Sequence, residues 1–218
     1  MDAERRRGRH AEGARNDQLL LDAARDVFAT QGSSASVAAV AARAGLGIGS
    51  LYRRYGSKTE LFQHLCVLSM RQAIAAADEA LATGDPAQAL AGYIRTCVAR
   101  RTGAFAPLAG TFETTPQMWA LARRGRLLLD RIVRRAHEAG ALRPDVTSVD
   151  ISWLIELFAR SVPAAGAGDA DHTVHQRLLA IAIDGLRTDS PHPLPGRPPA
   201  AAHYGRRWQP RPAAGAAE

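Results

Sequence analysis

The stretch Ser36-Val-Ala-Ala-Val-Ala-Ala-Arg-Ala-Gly-Leu-Gly-Ile-Gly-Ser-Leu-Tyr-Arg-Arg-Tyr55 decides the fold. Ser36 is suited to cap a short helix whose inner face is Val37, Val40, Ala41 and Ala44. Gly45 stands where the chain must leave that helix in a left-handed conformation, which glycine alone adopts cheaply. Leu46 plugs the turn, and a second short helix follows from about Ile48, with Leu51, Tyr52 and Tyr55 expected to pack inward. Two helices joined this tightly cross steeply, and the small Ala41 lets their backbones approach. The spacing predicts a helix-turn-helix.

A module of this kind offers its second helix to the major groove of DNA, ~12 Å wide. The outward positions here are Ile48, Gly49, Ser50, Arg53 and Arg54, small near the helix start and basic further along. Ser50 suits a base edge or a phosphate, and Arg53 suits bidentate reading of guanine. Arg54, Ser36 and Lys58 are placed to hold phosphates. Lys58 opens the following helix, where backbone N–H groups already favour an anion. It is the single lysine beside 27 arginines. With Gly47 and Tyr52, these residues form the candidate DNA-contacting set. Spacing alone also admits an ordinary helix–helix turn with a solvated Arg53-Arg54 face.

Working outward, start and stop signals divide residues 16–187 into helices. One runs from about Asp17 to Gln31, with Leu20, Ala24, Val27 and Phe28 on one face. Ser57-Lys-Thr-Glu60 reads as a capping box opening a helix to about Ala82. Asp85-Pro86-Ala-Gln88 opens another to about Thr102. Thr115-Pro116 starts a long helix closing at Gly140, and Thr147 caps one ending before Pro163. The loop 166–171 precedes a last helix, about His172 to Leu186. No alternating strand pattern and no repeat is seen, so the fold is expected to be all-α.

Residues 1–15 are charged and aperiodic and read as a flexible basic arm. Residues 188–218 are rich in proline, as in His192-Pro-Leu-Pro and Arg197-Pro-Pro, and read as a disordered tail. Tyr204-Gly-Arg-Arg-Trp208 inside that tail admits two readings, an adhesive or nucleic-acid-contacting patch and an unselected segment. The resulting division is 1–15, a helix-turn-helix domain at 16–62, a helical domain at 63–187, and 188–218.

Composition agrees with a helical protein: of 218 residues, 46% are hydrophobic and only 6% aromatic, with alanine, the best helix former, the commonest. A net charge of +7 favours an anionic partner but is spread over the chain and locates nothing. Cys66 and Cys97 lie in apolar helical patterns without a disulfide framework, as expected in a reducing cytoplasm. No apolar run is long enough for a membrane helix. Arg5–Arg7 and Arg9 precede no apolar stretch, so a secretory leader is not expected.

The chain resembles the tetracycline-repressor (TetR) family of bacterial regulators. The resemblance rests on Ser36-Val37, Val40-Ala41, Ala44-Gly45-Leu46, Gly49-Ser50-Leu51-Tyr52, Tyr55 and Lys58-Thr-Glu-Leu-Phe62, and covers about residues 16–65. It implies an all-helical fold, with three N-terminal helices that bind DNA and a C-terminal helical domain that binds ligand and dimerises. It further implies a ligand-released repressor that binds a palindromic operator as a homodimer. Two positions depart from the family pattern. Gly47 stands where Ser or Thr is frequent, and Arg54 where His is common.

Leu142-Arg-Pro-Asp-Val and Ile183-Asp-Gly-Leu186 resemble the family's regulatory domains more weakly. In the family the last two long helices form a four-helix dimer interface, here residues 147–162 and 172–187. Ile151, Leu154, Ile155, Phe158, Leu178, Leu179, Ala182 and Ile183 are the candidates for that seam, with burial inside one subunit as the other reading. Tyr93, Cys97, Phe105, Phe112, Met118, Trp119 and Trp153 are the candidate pocket residues, although aromatics on apolar helical faces are usually plain core. The scarcity of charges in the apolar stripes points to a hydrophobic or aromatic effector. Arg123–Arg135 reads as a solvated face.

No enzyme signature, metal site or cofactor is expected. His172 and His175 lack the further ligands zinc needs. Gly45, Gly47 and Gly49 follow a helix rather than a strand, so they are no phosphate-cradling loop.

Overall fold

A computed structural model describes residues 2–163, 168–187 and 192–209. Among them the architecture is all-helical. The helices are α1 (Asp2–Gln31), α2 (Val37–Ala44), α3 (Ile48–Tyr55), α4 (Lys58–Ala82), α5 (Pro86–Ala99), α6 (Pro116–Glu138), α7 (Ser148–Arg160), α8 (Asp169–Asp184) and α9 (Ala201–Arg206).

Local chemistry sets most of these bounds. Ser36, Ser57, Asp85, Thr115 and Thr147 each accept a backbone N–H of the helix they cap. At Thr147 the box is reciprocal, because Asp150 also accepts from the Thr147 N–H at 2.8 Å. At Ser57 it is only half made. The Ser57 N–H donates to Tyr55 O at 2.7 Å, and the Glu60 carboxylate sits against Gly56 instead.

Two apolar cores are strung on one helix. Leu61, Phe62, Leu65 and Cys66 of α4 pack with Leu20, Phe28, Val40 and Leu51, and with Phe105, Leu108 and Met118 from beyond α5. Further along α4, Ile74, Ala77 and Ala80 join Ile94, Cys97, Ile132 and Ile151. At 1.5 Å per residue α4 is about 37 Å long, long enough to serve both cores. The boundary expected between residues 62 and 63 therefore falls inside a continuous helix, and residues 105–118 contribute to the N-terminal core.

Three further expectations change. The backbone is helical from Asp2, where a flexible arm was expected. Ala, Glu and Arg favour helix, and extending a helix already anchored by packing needs no new nucleus. The last long helix starts at Asp169 rather than His172. Residues 192–209, expected to lack structure, contain α9, formed where alanines follow the last of the clustered prolines. Residues 164–167, 188–191 and 210–218, which carry parts of the expected loop and tail, lie outside the described residues.

Candidate functional site

The α2–α3 turn is built by its glycine. Gly45 has φ 67° and ψ 26°, its N–H donates to Ala42 O, and the Leu46 N–H donates to Ala41 O at 3.0 Å. This paired closure satisfies the last carbonyls of α2 and aims the chain into α3. Leu51 and Tyr55 anchor α3 in the core. Tyr52, expected to pack inward, is 46% exposed, because position i+1 from Leu51 points about 100° round the helix.

All nine candidate DNA contacts lie on the surface: Ser36, Gly47, Ile48, Gly49, Ser50, Tyr52, Arg53, Arg54 and Lys58. Ser50 and Arg53 are already paired, with Arg53 Nη2 donating to Ser50 Oγ at 2.9 Å. That bond holds the guanidinium along the helix surface. Gly47 caps α3 without a side-chain bond. Arg54 is bound to Asp17 at 2.7 Å, and Lys58 Nζ lies 5.2 Å from the centre of the Phe62 ring.

Asp17 was not foreseen. Its Oδ1 accepts from Tyr55 Oη at 3.2 Å and lies 3.4 Å from His64 Nε2, so one carboxylate joins α1, α3 and α4. Burial, and then this carboxylate, push the Tyr55 phenol up to about 12, keeping it protonated and donating at all physiological pH. A single acidic residue at the start of a helical pattern gives no sequence signal for such a role.

A cavity of about 480 Å³ lies between α4, α5, α6 and α7. Of the expected pocket residues, Tyr93, Phe105, Met118 and Trp119 line it. Cys97, Phe112 and Trp153 do not. Cys97 is buried behind Tyr93, to which its thiol is hydrogen-bonded, and burial pushes that thiol up to about 11. Phe112 packs on the N-terminal core. Trp153 faces α9, 5.5 Å from the Tyr204 ring and 4.2 Å below the Arg207 guanidinium.

Sequence reasoning missed several wall residues: Ser69, Ser148, Ser152, Arg123, Arg126, Tyr204 and Trp208. The signal for Arg126 was present, since Trp119, Ala122, Arg126 and Leu129 recur at helical spacing. Gly103 is a point of close approach in the wall. A Cβ there would fall 2.6 Å from Glu156 Cα, so only glycine lets α7 approach this closely.

The candidate dimer residues divide between the two readings. Ile151, Ile155, Leu179 and Ile183 are buried within the subunit, and Leu154, Phe158 and Ala182 are half-buried. Of the eight only Leu178 is exposed. The apolar stripe of α7 is consumed by α5, on which it packs. The large apolar side chains that α7 and α8 do expose are Leu157, Val174, Leu178 and Ile181. Val174, Leu178 and Ile181 recur at i, i+4 and i+7, which makes one stripe along α8.

Residues 20–65 match the family of bacterial regulatory proteins of the tetR type, and residues 85–188 match the C-terminal domain of SbtR-like transcriptional regulators. The chain belongs to the TetR family. It is a DNA-binding transcriptional regulator with an N-terminal helix-turn-helix domain and a C-terminal helical domain. Solved TetR-family structures share the fold. A regulator from Mycobacterium vanbaalenii is 26% identical with a TM-score of 0.54, over 82% of this chain and 99% of that one. A Streptomyces coelicolor regulator is 22% identical with a TM-score of 0.54, over 80% and 99%. The ketosteroid transcriptional regulator KstR2 of Mycobacterium tuberculosis is 22% identical with a TM-score of 0.54, over 78% and 94%. Comparison with curated proteins gives no match. No described helix of this TetR-family chain is long and apolar enough to cross a membrane.

Proposed function

We propose that this TetR-family protein is a cytoplasmic repressor that binds a palindromic operator as a homodimer and leaves it when a small, largely apolar effector fills the cavity. The observation that carries this reading is the shared wall between cavity and reading head. Phe105 lines the cavity and stacks edge-on against Phe28 of α1, ring centres 5.6 Å apart. Next to it Arg101 reaches across to Asp26 of α1 at 2.6 Å. An occupant that displaces residues 102–106 thereby moves the helix on which α2 and α3 are seated.

Ser50 and Arg53 serve as the base-reading pair, with Ser36, Arg54 and Lys58 on phosphates and Gly47, Ile48, Gly49 and Tyr52 at the contact surface. The Leu178 stripe of α8, together with Leu157, supplies the two-fold contact. A two-fold dimer places two reading heads on half-sites ~34 Å apart. Selection of bound sequences from a random DNA pool with the purified protein tests the whole reading. Recovery of a palindrome supports it, and absence of enrichment overturns it.

The salt dependence of operator binding isolates Arg54. Each phosphate contact contributes about −0.9 to the slope of log affinity against log salt. Arg54→His removes a permanent charge at neutral pH and is expected to make the slope shallower by up to that amount. Asp17→Asn, which frees Arg54 from its 2.7 Å partner, is expected to raise affinity at low salt. Mobility-shift titrations over a salt series measure both, and equal slopes for parent and Arg54→His remove the phosphate role.

A further inference from the structure

The cavity wall carries charge of one sign. Arg123 and Arg126 both line it, one turn apart on α6, and no Asp or Glu is among the lining residues. Their neighbour Arg124 is tied to Asp78 at 3.2 Å. Among the described residues the side chains of Arg123 and Arg126 have no hydrogen-bonding or ion-pair partner. Glu156 lies behind the wall, hydrogen-bonded to Tyr204. Its two oxygens each accept from Arg207 at 2.8 Å, so that pair is self-neutralised. Burial, and then the Glu156 carboxylate, push the Tyr204 phenol up to about 12, so that phenol adds no negative charge to the wall.

The rest of the wall is mainly apolar: Met118, Trp119, Leu121, Leu129 and Ile155. Arg126 is half-buried and Arg123 exposed; a guanidinium beside such an apolar surface binds an anion with a planar, charge-assisted fork and interacts with a neutral ligand far more weakly. A volume of about 480 Å³ lies within the range of small-molecule sites.

We propose that the effector is an organic anion, an apolar body ending in a carboxylate or phosphate, with its head held by Arg126 and Arg123 and its body between α4 and α6. This rests on the cavity being the effector site. It replaces a purely hydrophobic ligand by one whose charge is read.

The test compares dodecanoate, dodecyl phosphate and dodecan-1-ol by calorimetry and by quenching of tryptophan fluorescence. A charge-assisted contact predicts that at least one anion binds about tenfold more tightly than the alcohol. The better anion identifies the head group. The double variant Arg123→Gln with Arg126→Gln is expected to bring the anions down to the level of the alcohol. Should that variant fail to fold, the parent still decides, because rising salt must weaken the anions and leave the alcohol unchanged. An alcohol that binds as tightly as both anions at every salt concentration overturns the charge assignment and leaves the cavity reading standing. Full-strength anion binding in Ala73→Trp, which fills the cavity, overturns the cavity reading instead. Failure of all three probes to bind overturns the proposal.

Discussion

Replacing Phe28 with alanine is expected to destabilise the protein by about 3–5 kcal/mol, seen in thermal unfolding as a fall in Tm on the order of 10 °C. The size follows from position. Phe28 is 2% exposed and sits between two rings, Phe62 at 5.1 Å and Phe105 at 5.6 Å, both edge-on. Truncation leaves a ring-sized void bounded by α1, α4 and the segment after α5. Those walls are also held by the Arg101–Asp26 contact and by α4 itself, so the void has little freedom to collapse, which sets the high end of the range. Leucine at the same position keeps most of the volume and forfeits the two ring contacts, each worth about 1 kcal/mol. Phe28→Leu is therefore expected to fold and bind the operator, with a blunted response to effector because Phe105 no longer bears on a ring. Circular dichroism melts of both variants check the order. A Tm for Phe28→Ala within about 2 °C of the parent contradicts a tightly packed Phe28, since that shift corresponds to less than about 1 kcal/mol.

The reading head was legible in the sequence because its determinants are local. The Ser36 cap, the left-handed Gly45 and the Leu51/Tyr55 spacing each act within a turn or two of chain, and each is a residue type or spacing that the local geometry favours. The regulatory half was legible as helices and not as surfaces. Whether Ile155 or Leu157 faces solvent depends on where α5 lies, and α5 is some sixty residues away in sequence. Of the apolar residues offered for a dimer seam, Ile151, Ile155, Leu179 and Ile183 are instead taken up by packing within the subunit. Arg126 shares the helical spacing of Trp119, Ala122 and Leu129, but that signal is outweighed because an arginine-rich helix looks solvated until a cavity is known to adjoin it. The proline content of the last segment hid α9, whose stability is supplied by a partner rather than by its own short sequence. The box at Ser57 failed through competition, because Tyr55 O captured the N–H that Glu60 was expected to satisfy.

That partner makes Arg207→Ala the second large expected effect. Glu156 is 3% exposed, and Arg207 is its close cationic partner, bonded to both oxygens at 2.8 Å with Arg160 farther off at 4.0 Å. Breaking a buried pair from one side costs about 3–5 kcal/mol, because the remaining charge stays desolvated. A mid-chain helix would have to bear that cost. A short terminal helix has a way out, since undocking α9 lets water reach Glu156. The expected result is local: an emission red shift as Trp153 and Trp208 lose their cover, and cleavage by trypsin at Arg206 under conditions where α1–α8 resist. The Glu156→Leu, Arg207→Met pair removes both charges and is expected to restore docking, which separates charge burial from loss of contact area. The other end of the segment is held independently. Asp145 accepts from Arg143 at 2.6 Å and from the Leu194 N–H at 2.9 Å, and these contacts hold its carboxyl down to about 2. A depressed folded-state value means that this tie is complete above the ordinary carboxylate value of about 4 and is lost as pH falls from there toward 2. At neutral pH Arg207→Ala should therefore free α9 while residues 192–194 stay attached, and only acid should release both. Tryptic fragments that begin upstream of residue 192 at neutral pH would show that the two attachments are not separate.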